Sequence, residues 1–224
     1  MGAKTITQTP EKAPAKAPDR ALIKALRLHL EASLLPGDAT IERAALDEVA
    51  AYLLAAAQTR APGQSLVQLE SASGGRRHLR IAIINDDRPF LVDSVAAAIA
   101  AQGIGIDRLL HPVIAAERGA DGTLTALGKP GAKEAAGARE SLIYIETPRV
   151  DARQRRELLE ALQVTLGDVC AAVADWPAMQ AAMAEDAALA ASVDPEAGAL
   201  LGWLGGGMLT QLGHLTCHRD GTTD

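Results

Sequence analysis

The chain is expected to form an α+β sandwich, a mainly antiparallel sheet with helices on one face, with a helical hairpin before it and further helices after it. Three observations carry this. Apolar residues recur every three to four positions up to about residue 62 and then alternate with polar ones over 66–69 and 79–84. From there to residue 176 the two periods interleave as strand, helix, strand, strand, helix. Hydrophobic residues make up 48% of the 224, enough for a core, whereas aromatics are only 2%, so Ala, Leu, Ile and Val must fill it and its helices must pack closely.

Residues 1–19, rich in Pro, Ala and Lys, read as a disordered tail with no apolar signal-peptide core. Asp19 can cap a first helix carrying Leu22, Leu26 and Leu30, stopped by Pro36 and Gly37. Asp38 or Thr40 can open a second, with Ile41, Ala45, Val49 and Leu53 on its buried side and Pro62 and Gly63 at its end. Residues 20–62 therefore read as a helical hairpin, serving as packing material or an interface.

The sandwich is expected over 63–176. The strands 66–69 and 79–84 are separated by the turn residues Ser73, Gly74 and Gly75. A helix from about Phe90 to Gln102 carries Leu91, Val95, Ala98 and Ile99, and Gly103 suits its left-handed cap. One long strand is predicted over 106–116, with Pro112 marking an edge or a bulge. Asp121 and Gly122 supply hairpin chemistry before a strand at 123–127, and 128–139 reads as a loop. Alternation from Ser141 to Glu146 marks a strand ended by Pro148. Asp151 caps the longest helix, whose stripe is Leu158, Leu162, Leu166, Val169, Val173 and Trp176, with Pro177 breaking it.

Residues 177–224 read as a helical linker and the start of a further domain: an Ala-rich helix over 178–193, then a short one restarted by Asp194, Pro195 and Glu196 and ended by Gly205, Gly206 and Gly207. The core pattern suggests a ferredoxin-like βαββα plan, but its last strand is open, and either 66–69 or 209–216 can complete the sheet.

Charge and cysteines exclude several classes. A net charge of -6 with no basic stripe argues against nucleic acid. Charged residues or histidine interrupt every apolar stretch before the ~18 to 20 residues a membrane helix needs. Cys170 and Cys217 are too far apart for a disulfide framework or a zinc motif, which fits a reducing cytoplasm.

The most informative run is NDDRPFLVDSV, 85–95, where a strand hands over to a helix. Asp87, Arg88, Pro89, Phe90, Leu91, Val92 and Val95, followed by Gly103, Ile104 and Ile106, resemble the first strand-helix-strand of an ACT domain. The resemblance implies an amino-acid effector corner at Asn85, Asp86, Asp87, Pro89, Phe90 and Leu91. In that family glycine usually stands where this chain has Phe90, so the ring is expected to fill the ligand's space, and Asp86 and Asp87 to repel a carboxylate. On their own chemistry the same residues read as an aspartate N-cap with Pro89 in the first helical turn. A degenerate, ligand-silent corner is the expectation, with an amino-acid-binding sensor as the alternative.

A second resemblance covers most of the chain from about residue 20. NDDRPFLVDSV, GIGIDRLLHPV at 103–113, ESLIYIE at 140–146 and LLGWLGGGMLTQLG at 200–213 are similar to the N-terminal region of the large bacterial NAD-specific glutamate dehydrogenases. Gly202, the stretch 208–215 and Arg88 depart from that pattern. The resemblance implies a much longer parent whose NAD-binding domain, far downstream, converts glutamate to 2-oxoglutarate and ammonia. It implies a regulatory or assembly role for this chain, with no cofactor of its own, the parent's remaining domains as partners, and a homo-oligomer formed by side-by-side sheets.

Other motifs carry less. Gly103 and Gly105 lack the third glycine of a dinucleotide loop, and 128–133 holds phosphate-loop ingredients in the wrong order. His214, Cys217 and His218 could meet around a metal, but a frayed terminus is the preferred reading. His111 reads as a packing or hydrogen-bonding histidine, and Ser94 lacks a nucleophile elbow. Arg153, Arg155 and Arg156 crowd a helix start as a solvated face or, alternatively, a docking surface for an acidic partner. Glu140, Glu146, Asp107 and Arg108 are expected to form cross-strand pairs.

Overall fold

A computed structural model of the chain describes residues 19–34, 40–72, 77–131 and 138–215. It divides into two compact units, Met1–Gly167 and Asp168–Asp224.

In the first unit, α1 (Arg20–Ser33) opens at Asp19, whose carboxylate accepts the Ala21 N–H at 2.9 Å. The second helix begins later than expected. α2 runs Arg43–Ala57 from Glu42, which makes no side-chain cap bond, while Thr40 stays irregular and Asp38 lies outside the described residues. It also stops before Pro62 and Gly63. Thr59 pairs with Thr123, the Arg60 N–H bonds the Gly122 carbonyl at 3.1 Å, and the Arg118 guanidinium takes the Ala57 carbonyl at 3.0 Å. A cation there suits the negative end of the helix.

β1 (Leu66–Ala72) and β2 (His78–Asp86) pair antiparallel, and their connecting turn, with Ser73, Gly74 and Gly75, lies outside the described residues. α3 (Leu91–Ala101) ends in a Schellman cap: Gly103 has φ 70°, its N–H bonds the Ala100 carbonyl, and the Ile104 N–H bonds the Ile99 carbonyl. The single strand predicted over 106–116 is two pieces, β3 (Arg108–Leu110) and β4 (Val113–Arg118). Pro112 has no ladder N–H to offer, but its carbonyl accepts from Leu142 at 3.1 Å. Register carries across the gap, with Leu110 opposite Tyr144 and Val113 opposite Ser141, so no bulge forms there. β5 (Leu124–Leu127) and β6 (Ala138–Pro148) complete an antiparallel sheet in the order β1-β2-β6-β4-β5, with β3 also on β6. The expected loop gives up its last two residues to β6, and 132–137 lie outside the described residues.

The strand that completes the sheet is therefore the one that precedes the βαββα core. β1 flanks β2 antiparallel, and Leu209–Leu215 is irregular.

Alternate residues of each strand face opposite sides of the sheet, and both sides are buried. Ala82, Ile84, Leu142 and Tyr144 form one core with Leu26 and Leu30 of α1 and Leu46, Tyr52 and Leu53 of α2. The hairpin is thus packing material. Ile81, Ile83, Ile143 and Ile145 are fully buried on the other side, outside that cluster. The elements left to cover them are α3, through Leu91, Val95 and Ile99, and the start of α4 (Ala152–Ala191), through Leu158, Leu162 and Leu166. Asp151 caps α4 as expected, accepting the Gln154 N–H at 2.8 Å.

Pro177 does not break that helix, which runs through it for 40 residues. Pro177 is exposed, so the carbonyl it leaves without a helical N–H can bond water in its place. In the second unit, α5 (Pro195–Trp203) starts at Asp194, whose carboxylate accepts the Glu196 N–H at 3.0 Å, with Pro195 in the first turn. A π turn follows over Leu204–Met208, with Gly207 inside it at φ 104°. Gly198 allows α5 to approach α4, since a Cβ there would lie 2.4 Å from the Ala191 Cβ.

Candidate functional site

The Asn85–Leu91 corner sits where β2 ends and α3 begins, and its charges are committed within the fold. Asp86 accepts from Arg60 at 2.6 Å and from Arg88 at 3.3 Å. Asp87 accepts from Arg139 Nε at 3.0 Å, and its own N–H bonds the Arg139 carbonyl. Asn85 is buried and donates to Ser65 Oγ at 3.0 Å, and Leu91 is in the core. Burial pushes the Asp86 carboxyl up, but hydrogen bonds and charge from Arg60 and Arg88 outweigh it and hold the group below its ordinary value.

Two expectations about this corner are corrected. No aspartate caps α3. The N-cap is Phe90, whose carbonyl accepts the Ser94 N–H at 3.0 Å while no side chain caps the helix, so Pro89 lies in the preceding turn and not in the first helical turn. Nor does the benzyl ring plug a pocket, because Phe90 is 48% exposed. Its backbone carries the signal that was missed. At φ 68° and ψ -3°, Phe90 is left-handed, and no other described residue except glycine has positive φ. The chain needs this conformation to turn from β2 into α3. Glycine adopts it freely, while a residue with a Cβ pays on the order of 1 kcal/mol.

Behind the corner lies an ion cluster. Glu140, 1% exposed, accepts from Arg118 Nε and Nη2 at 2.7 and 2.8 Å and from Arg60 Nη1 at 3.1 Å. Arg60, 2% exposed, also donates to the Gln64 carbonyl at 2.6 Å, and Arg118 to the Gly122 carbonyl at 2.7 Å. Gly122 has φ 80°, and a Cβ there would lie 2.5 Å from the Arg60 carbonyl oxygen. Five segments are joined in this way: the end of α2, the loop before β1, the end of β2, the β4–β5 hairpin and the start of β6. Glu140 was expected to pair across neighbouring strands, and Arg118 of the adjacent β4 is such a partner, while Arg60 joins from the loop before β1. Arg108 and Glu146 do form the expected cross-strand pair, at 3.1 Å.

His111 Nε2 lies 2.5 Å from Ser141 Oγ. Burial lowers the imidazole pKa, with Asp87 partly opposing, and Ser141 is fully buried. The pair is a hydrogen bond whose serine hydroxyl is closed off from a substrate. Gly103 sits at a helix end, as its left-handed cap, and Ala132 and Lys133 of the phosphate-loop candidate lie outside the described residues. His214 approaches Asp186 at 3.3 Å, while Cys217 and His218 are also outside them. Among the described residues no group of three His, Cys, Asp or Glu is placed to hold a metal, and no helix is long and apolar enough to cross a membrane.

The arginines at the start of α4 separate. Arg153 turns to Glu157 at 2.8 Å, Arg155 bonds the Leu69 carbonyl, and Arg156 with Arg149 borders an open cleft of about 610 Å³ beside Ser71 and Val150.

Comparisons with known proteins agree with the architecture. Residues 38–162 match the family described as Glutamate dehydrogenase, ACT1 domain. The NAD-specific glutamate dehydrogenase of Halomonas elongata is 36% identical over 147 residues, 61% of this chain and 9% of that protein. The protein of the same name from Pseudomonas aeruginosa is 34% identical over 105 residues, 46% of this chain and 6% of its own length. The chain thus spans less than a tenth of these relatives.

Proposed function

The chain belongs to the glutamate dehydrogenase ACT1 domain family, and from that premise we propose that it is a non-catalytic segment of an NAD-dependent glutamate dehydrogenase, serving regulation or assembly. The oxidative deamination of glutamate to 2-oxoglutarate and ammonia, and the NAD it uses, belong to other parts of such an enzyme. The remaining domains of that enzyme are this segment's partners. A cytoplasmic setting suits that chemistry, and the sheet edges at β1 and β5 offer a route to a homo-oligomer.

One observation carries this reading: every ionisable side chain of the corner is engaged in the fold itself. Asp86, Asp87 and Arg88 are held by Arg60, by Arg139 and by one another. An amino-acid effector would have to break those bonds to reach the helix start. Steady-state assays of the 224-residue chain with glutamate and NAD should show no turnover, and turnover that follows the chain through purification refutes the proposal. Calorimetry with the common amino acids should give no saturable heat. Stoichiometric binding abolished by Asp87→Asn would establish the sensor reading in its place.

A further inference from the structure

The second unit exposes an unusual amount of apolar surface. Leu189, Val193, Leu200, Trp203 and Leu212 are between 55% and 87% exposed. Two helices joined by one turn bury only the stripes that face each other, and here the close contact of Gly198 with Ala191 uses the small residues and leaves the large ones outside. Five large apolar side chains left this exposed on two short helical stretches point to a docking surface.

Charge narrows the occupant. Residues 168–215 contain Asp168, Asp175, Glu185, Asp186, Asp194 and Glu196 but no lysine or arginine. Two such hairpins placed face to face would repel. The surface fits a partner that offers cations among apolar stems, and the first unit has one. In the cleft lined also by Ser71, Val150 and Asp151, Arg149 and Arg156 make no ion pair or hydrogen bond among the described residues, Arg155 lies next to them on the Leu69 carbonyl, and the Asp151 carboxylate accepts the Gln154 N–H, so three arginines face one carboxylate. Arginine stems are apolar and their guanidinium planes stack on indole, so one cleft can take both a carboxylate and Trp203.

We propose that this arginine cleft receives the acidic, apolar hairpin of a second copy of the chain, each copy's hairpin seated on the other's cleft. The contact is distinct from sheet-edge pairing and does not depend on the glutamate dehydrogenase reading.

Sedimentation velocity on the 224-residue chain tests it. A concentration-dependent pair is expected at low salt, loosening as salt rises. Arg149→Glu with Arg156→Glu should weaken association at least about tenfold, and so should Glu185→Arg with Glu196→Arg on the hairpin. All four side chains are exposed, and far-UV circular dichroism checks that the variants fold. Mixing the two charge-reversed chains should restore a one-to-one pair at a seated contact. The proposal is overturned if the wild-type chain stays monomeric at every concentration. It is overturned equally if the pair survives the arginine reversals, which would indicate edge pairing, or if mixing restores nothing. None of these results bears on whether the chain turns over glutamate.

Discussion

Replacing Glu140 with alanine is the sharpest probe of how the first unit holds together. The substitution deletes the acceptor of three charge-assisted hydrogen bonds, two from Arg118 and one from Arg60, at a position 1% exposed. Removing one partner of a buried ion pair costs about 3 to 5 kcal/mol, because the remaining charge is left desolvated. Here the cost should fall near the lower end, about 3 kcal/mol. Arg60 keeps Asp86 and the Gln64 carbonyl, and Arg118 keeps the Ala57 and Gly122 carbonyls. For a chain of this size each kcal/mol lowers Tm by about 2 to 4 °C, so a drop of about 6 to 12 °C is expected. The assay is thermal unfolding followed by near-UV circular dichroism of the tyrosines. Both, Tyr52 and Tyr144, are in the first unit, whereas Trp176 and Trp203 are in the second. Arg153→Ala, which opens an exposed pair with Glu157, is the control and should change nothing measurable. A loss below about 1 kcal/mol for Glu140→Ala would mean that water or rearrangement replaces the carboxylate easily, and the account of the cluster would be wrong.

Gly122→Ala should destabilise the first unit by more than about 2 kcal/mol, since it combines a left-handed φ with backbone overlap at Arg60; Gly131→Ala, at φ 73° with open space around it, should cost about 1 kcal/mol in the same melts. Because burial lowers the His111 pKa from 6.5, the unfolded chain binds that proton more readily, so stability should fall as pH drops below about 6.5; urea titrations of His111→Gln should show a shallower slope there. Burial raises the pKa of both tyrosines above their ordinary 10.0, so no tyrosinate absorbance should appear near pH 10 while the chain is folded, and stability should decline as pH rises past that value. Early ionisation of either ring would contradict its packing.

What a sequence reader can see here follows from how local each determinant is. Asp19, Asp151 and Asp194 bond N–H groups two or three residues on, and Gly103 needs only its own φ, so these helix ends were legible. The alternation of β2 and β6 was equally plain. The Glu140 cluster was legible only as a cross-strand pair of some kind; that Arg60, 80 positions away and on no strand, joins Arg118 on the same carboxylate is set by the folded sheet alone. Phe90 misled because its residue type suggests a buried ring, while the fold uses its backbone. Pro177 misled in the opposite direction: a helix interrupter by type, it sits where water can replace the missing bond.

The origin of the closing strand has an effect on the rest of the polypeptide. A ferredoxin-like chain normally has to bring its last segment home across the sheet after the second helix. Here a neighbour in sequence has already filled that slot through a short connection, which lowers the loop entropy of forming the edge. The residues after Leu166 carry no such obligation. They are free to extend the helix by several turns and give the remaining chain to a separate body.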